Sequence, residues 1–266
     1  VSGNGTYSYR TIAQGSNPFA IYVYANNTCK FSIDNLSVKE VDLKGYWRNN
    51  GLDDWTDLSP HGNDGDVKNA VVADVIQLQE VPYFNKDTLG LPMNRVRERA
   101  LNLDGGSYVT IDDSDDFNFG TTGFTIQAWV KPFSLVADDR IITKGTNEAA
   151  EWMISIGGDG SSLRVYAEDS DTVGLDSVNK FSALSLNTWA MITVVIDRPN
   201  DQILFYKDNG NVESKTSASW SGNFNGAAPL RIGANEALGA DRFDGVIDDV
   251  KIYNRVLTQG EITKNY

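Results

Sequence analysis

The chain has 266 residues, 41% hydrophobic and 22% charged, which is the composition of a globular protein of one large or two smaller domains. A single cysteine, Cys29, excludes an internal disulfide, and a single histidine, His61, excludes any site built from two imidazoles. Twenty-three basic residues against 36 acidic ones give a net charge of −13, which repels phosphate backbones and argues against nucleic acid as a partner, and the absence of a long apolar run argues against membrane insertion.

From the N-terminus, Phe19 to Tyr24 and Phe31 to Val38 alternate apolar and polar residues with period two, as half-buried strands do. The first 41 residues carry three basic and two acidic side chains, hence +1, and the remainder holds −14. They supply about three strands, too few to close a sandwich, so residues 1–41 read as the end of an incomplete β-sandwich. A polar linker, Val38 to Gly45, then leads to a new start at Tyr46-Trp47, and residues 42–266 read as a second domain. Further strand patterns run over Ser107 to Ile111, Phe124 to Val130, Trp152 to Ile156, Leu163 to Ala167 and Trp189 to Ile196. They continue over Ile203 to Lys207, Leu230 to Gly233 and Val246 to Tyr253. Many short Val/Ile/aromatic strands bounded by turn residues predict an all-β antiparallel sandwich. Helical periodicity is confined to a weak stretch around Arg95 to Arg99 and to Leu257 to Tyr266, where Thr258 caps a short helix with Glu261 three residues on.

Asp208-Asn209-Gly210 between two strands is a hairpin signal, since primed turns need φ > 0. Trp129 and Trp189 lie inside alternating runs and are expected between the two sheets, and Trp47 is expected to pack the first strand. Trp55, Trp152 and Trp220 neighbour polar loop residues and are the candidates for stacking on sugar rings, with ordinary core packing as the competing reading. Cys29 reads as a small buried residue, and no arrangement around His61 points to a catalytic triad. Three Asn-x-Ser/Thr matches, at Asn4, Asn26 and Asn35, are of a kind that chance supplies often. Of the 36 carboxylates 27 are aspartate, a bias toward turns and oxygen-rich cation sites.

From Trp47 onward the order of motifs resembles the laminin-G-like, concanavalin A-like jelly-roll domains. The matching stretches include Asp57 to Gly65, Ala100-Leu-Asn-Leu-Asp104, Phe124 to Pro132, Ile141 to Gly145, Trp189 to Asp197, Pro229 to Gly233 and Phe243 to Leu257. The resemblance implies an antiparallel jelly-roll sandwich, and it brings the Asp53 to Asp66 loop beside the final strand. On that basis Asp57, Asn63 and Asp248 are the expected ligands of a structural calcium ion, which takes six to eight oxygens. Phe31 to Val38 looks like the last strand of a carbohydrate-binding-module-like sandwich, which adds Asp34 as a separate calcium candidate. That tandem, with Lys86 to Pro92, is similar to structural proteins of marine bacteriophages.

Concanavalin A-like folds include glycosidases, whose retaining members need two carboxylates about 5 Å apart. The nine glutamates here are scattered, and no Glu-x-Asp-x-x-Glu arrangement occurs, so the expected protein is not an enzyme. The expectation is a glycan-binding or adhesion module of a virion or extracellular surface. The alternatives are an architectural fibre or decoration domain that contacts other virion subunits or further copies of itself, and a glycoside hydrolase.

Overall fold

The computed structural model describes residues 42–47, 54–69, 75–76, 85–86, 92–93, 100–145, 150–177, 181, 183–208, 210, 213–216, 219–235 and 241–266. The chain divides into two compact units, one of Val1–Val41 with Pro82–Val96 and the other of Asp42–Val81 with Arg97–Tyr266. The expected strands of residues 1–41, Cys29, Asp34, the three glycosylation-type motifs and the weak helical stretch at 95–99 all lie outside the described residues.

The strands, in chain order, are β1 (Leu43–Trp47), β2 (Asp54–Trp55), β3 (Gly65–Lys68), β4 (Val75–Ile76), β5 (Asn85–Lys86) and β6 (Pro92–Met93). There follow β7 (Ala100–Asp104), β8 (Tyr108–Ile111), β9 (Phe124–Pro132), β10 (Arg140–Gly145), β11 (Ala150–Ile156) and β12 (Leu163–Glu168). The last are β13 (Gly174–Asp176), β14 (Ala190–Asp197), β15 (Gln202–Lys207), β16 (Glu213–Thr216), β17 (Leu230–Ile232) and β18 (Asp244–Tyr253), with a helix α1 (Gln259–Asn265) at the end. In the smaller unit β5 and β6 form an antiparallel pair.

The larger unit is two antiparallel sheets. Sheet A runs β16-β15-β14-β9-β18-β7-β4 with β1 also on β18, and sheet B runs β13-β12-β11-β10-β17-β8-β3-β2. Alternation decides what lies between them. On sheet A the inward row of β9 is Phe124, Ile126, Ala128 and Val130, facing Ile192, Val194 and Ile196 on β14. On sheet B it is Trp152, Ile154 and Ile156 with Val165, Ala167, Ile142 and Ile232. Phe124 joins the layers, with its ring 5.8 Å from Trp152, 4.2 Å from Phe119 and 5.5 Å from Phe224. The all-β sandwich expected from the strand patterns is the fold observed.

The final strand does not keep one parity. Its register on β9 shifts between Asp248 and Lys251, and Asp249 takes φ = 50°, so Ile247 and Val250 both face the core although they are three residues apart. This is a bulge, an extra residue that flips the side-chain sequence. At the end of β17, Gly233 holds φ = 83°, and a Cβ there would overlap the side chain of Leu103, so glycine alone fits both the backbone and the space.

Two tryptophans differ from their expected places. Trp129 has odd parity on β9 and points away from the core, where it is 9% exposed and stacks on Tyr266 at 5.5 Å and 20°. Trp189 precedes β14 and is half-buried. Because β9 and β14 are buried along almost their whole length, apolarity alone gives no sign of which face is inward. Trp47 is buried as expected, its indole N–H donating to the Asn63 carbonyl at 2.7 Å.

Candidate functional site

The three indoles proposed for sugar stacking are core residues. Trp55 is 0%, Trp152 1% and Trp220 7% exposed, and all three belong to the continuous apolar cluster between the sheets. A ring enclosed on both faces has none to offer a sugar. Trp55 and Trp152 lie on strands, where successive side chains point to opposite faces, so a polar neighbour in sequence does not mark an exposed indole. Trp220 has its own structural role. The Arg198 guanidinium lies 5.9 Å from its ring and 5.2 Å from Phe224, donates to the carbonyls of Gly222 at 2.7 Å and Trp220 at 3.3 Å, and approaches Asp169 at 3.8 Å.

The acidic loop after β2 is held by hydrogen bonds. The Asp57 carboxylate accepts from the backbone N–H groups of Tyr46, Ser59 and Asn63 and from the Ser59 hydroxyl, at 2.7 to 2.9 Å. Both its oxygens are thus engaged by four donors, which makes Asp57 an organiser of a tight loop. Asn63 Nδ2 donates to the Lys44 carbonyl and to Asp116, and Asp248 is fully buried in the bulged strand. Asp57 and Asn63 are thus tied into the loop and Asp248 lies within the sheet, and among the described residues no three His, Cys, Asp or Glu side chains group as a metal site. His61 Nδ1 lies 2.6 Å from Asp116, which ties the loop to the 3-10 turn Asp115–Phe117.

A second acidic group lies where β10 and β18 begin. Asp139 is 7% exposed, and burial, reinforced by the charges of Asp241 and Asp244, pushes its carboxyl up to about 6. The neighbouring Arg140 is lowered by its own burial, against the pull of Asp241 and Asp138.

The outward face of sheet B carries the remaining polar chemistry. Register places Tyr166, Met153, Thr143, Arg231 and Thr110 side by side on β12, β11, β10, β17 and β8. A second row holds Arg164, Ser155 and Arg140. Arg164 is countered, with Nε and NH2 on Asp176 at 2.9 and 2.6 Å and NH1 on Asp138 at 2.9 Å. Tyr166 donates to Glu168, and burial followed by that bond raises its hydroxyl above the usual phenol range. Among the described residues four buried polar atoms of this face have no hydrogen-bond partner: Thr143 Oγ1, Ser155 Oγ, Arg231 NH1 and Arg140 Nε. Thr143 and Ser155 are 1% and 0% exposed, while Arg231 is half-buried. The sequence carried a partial signal for this face, since Leu230-Arg-Ile232 and Leu163-Arg-Val-Tyr-Ala-Glu168 set polar residues between core residues. Nothing in the sequence says that these strands lie two or three apart in one sheet.

A comparison with family models matches residues 103–263 to the concanavalin A-like lectin/glucanases superfamily, in its laminin-G form. A sequence comparison with curated proteins gives no match. Among solved structures the chain is similar to the binding domain of Paraclostridial Mosquitocidal Protein 1, with a TM-score of 0.61 and 18% identity over 84% of this chain and 51% of that one. It is also similar to domain 4 of AbnA, an extracellular arabinanase of Geobacillus stearothermophilus crystallised with arabinotriose, with a TM-score of 0.56 and 17% identity over 85% of this chain and 98% of that domain. The binding domain of botulinum neurotoxin serotype G gives a TM-score of 0.57 and 18% identity over 85% and 50%. The chain thus spans about half the length of the two toxin binding domains. With more than half of its residues matched by the family model and two antiparallel sheets closing one core, the chain belongs to the laminin-G-like branch of the concanavalin A-like lectin/glucanase superfamily.

Proposed function

We propose that this protein is a non-catalytic glycan-binding module. The observation that carries the reading is the outward face of sheet B, where tyrosine, arginine, threonine and serine side chains lie in adjacent rows and several of their polar atoms have no hydrogen-bond partner among the described residues. Sugars are recognised by such mixtures of hydroxyl, guanidinium and aromatic groups, and a shallow face of this kind gains avidity when displayed in many copies. The family supports the reading, as does the occurrence of the fold in toxin binding domains and in an arabinanase domain seen with arabinotriose. An extracellular or virion surface fits an acidic, binding-type chain, and the phage-like stretch Lys86 to Pro92 favours a fibre or decoration component.

Two assays test this. The protein is expected to bind members of a polysaccharide and oligosaccharide array saturably, and to release no reducing sugar from laminarin, agarose or mixed-linkage glucan above a blank. Sugar release would overturn the non-catalytic reading. Silence on the array together with stable oligomers in sedimentation would replace it with the architectural one.

A further inference from the structure

We infer that Arg231, Thr143 and Ser155 form a subsite for the carboxylate of an acidic sugar; this rests on the glycan-binding reading above. Thr143 is in direct register with Arg231 on one side and with Met153 on the other, and Ser155 stands two residues beyond Met153 on the same face. Directly opposed side chains in a sheet lie about 5 Å apart and diagonal ones about 7–8 Å, so the three fall within one small patch on three adjacent strands.

The chemistry of the patch is that of a donor set without an acceptor. Among the described residues two hydroxyls at least nine-tenths buried and one guanidinium nitrogen lack partners, and Arg140 Nε lies at the margin in the same condition. Buried polar atoms are nearly always satisfied in folded proteins, so a cluster of exceptions on one face marks a place where something else completes them. Arg231 sets the charge of that missing group. Arg140 has Asp138 and Asp241, and Arg164 has Asp138 and Asp176, but among the described residues Arg231 makes no ion pair or hydrogen bond, in a chain with 36 carboxylates. A half-buried guanidinium is best completed by a planar anion that accepts two parallel N–H bonds, which a carboxylate does and a neutral hydroxyl does not. The flanking Asp138, Asp176 and Glu168 exclude a dense polyanion such as nucleic acid and leave room for one isolated negative group. Arg231, being the least buried of the three, meets that group first, and the hydroxyls of Thr143 and Ser155 lie further in.

Isothermal titration calorimetry on the whole chain tests this with two singly carboxylated probes, methyl α-galactopyranosiduronate for uronic acids and α2,3-sialyllactose for sialic acids, each beside its methyl ester. One of the acids is expected to bind about tenfold or more tightly than its ester. Arg231→Gln is expected to bring the acid down to the level of the ester with an unchanged unfolding temperature, and Arg231→Lys, which keeps the charge without the fork, to fall between. Thr143→Val, which removes only a hydroxyl, serves as a second variant and is expected to weaken the acid selectively. Equal binding of acid and ester, or full acid binding by Arg231→Gln, overturns the carboxylate subsite and leaves the glycan reading standing. Failure of the native chain to bind any charged or neutral glycan overturns both.

Discussion

Trp152 carries out at the level of one residue what the sandwich does as a whole. It faces Phe124 across the two layers, is 1% exposed, and its indole N–H has no hydrogen-bond partner among the described residues. Trp152→Ala is expected to cost about 3–5 kcal/mol in urea unfolding, through lost burial and the cavity left behind. Trp152→Phe is expected to cost clearly less than that, because it also removes an unsatisfied buried N–H. If Trp152→Ala instead weakened glycan binding without loss of stability, the indole would be at the surface after all. Asp139 gives the opposite sign. Its folded carboxyl titrates near 6 against an ordinary 3.8, so the folded state holds a proton that the unfolded chain has already released. Stability from this group is therefore complete below about pH 4 and is lost as the pH rises through 6. Asp139→Asn is expected to stabilise the protein by about 1–3 kcal/mol at pH 8 and to leave it unchanged near pH 4, as read from unfolding temperatures across that range.

At the scale of one element, α1 shows how a short segment covers a large surface. Thr258 and Glu261 form a reciprocal capping box, Asn265 donates to Gln127 at 2.7 Å and to the Tyr253 hydroxyl at 3.2 Å, and Tyr266 stacks on Trp129. Leu257 just ahead of it donates its N–H to Thr125. The Glu261 carboxyl is held down to about 2, first by its hydrogen bond to Arg255 and then by the Thr258 cap. A depressed folded value means that its support is present above about 4.5 and is lost as the pH falls toward 2. Acid is thus expected to release α1 and shift tryptophan emission to the red as Trp129 is uncovered, and Thr258→Ala, worth about 1 kcal/mol at a helix start, is expected to move that transition to higher pH. No shift in the Thr258→Ala titration would mean that the cap does not hold the helix. This element was legible in the sequence, because Thr258, Glu261 and the apolar spacing behind them are local signals. So were the strand spans, with Phe124, Leu163, Leu230 and Tyr253 standing at ends that alternation and turn residues had marked. Which face each strand turned inward was not legible on β9, where α1 buries the outer face, nor past Asp248, where a bulge resets parity. The outward patch around Arg231 was hidden for a related reason: β10, β11 and β17 are brought together only by long-range pairing.

The charge of the whole molecule has a structural use. Aspartate supplies five of the eight described non-glycine residues with positive φ, at positions 138, 201, 208, 241 and 249, where its short side chain tolerates the left-handed backbone. Asp208 takes that role in the β15–β16 turn, next to the Asn-Gly pair that the sequence marked. Others fold turns by accepting backbone N–H groups, as Asp57 does from three residues, Asp104 from Gly106 and Ser107, Asp159 from Ser161 and Ser162, and Asp169 from Asp171, Val173 and Gly222. These carboxylates are engaged by the chain itself, so the aspartate excess does not require a bound cation. Calcium held at a hundred times its dissociation constant would stabilise the fold by about 2.7 kcal/mol, a shift of several degrees that calorimetry resolves easily. Unfolding temperatures in EDTA and in millimolar calcium are therefore expected to coincide at matched ionic strength. Monovalent salt is expected to raise both together by screening the repulsion among charges that sum to −13. A rise specific to calcium, beyond that of sodium at equal ionic strength, would show that aspartates engaged in turns also close on a metal.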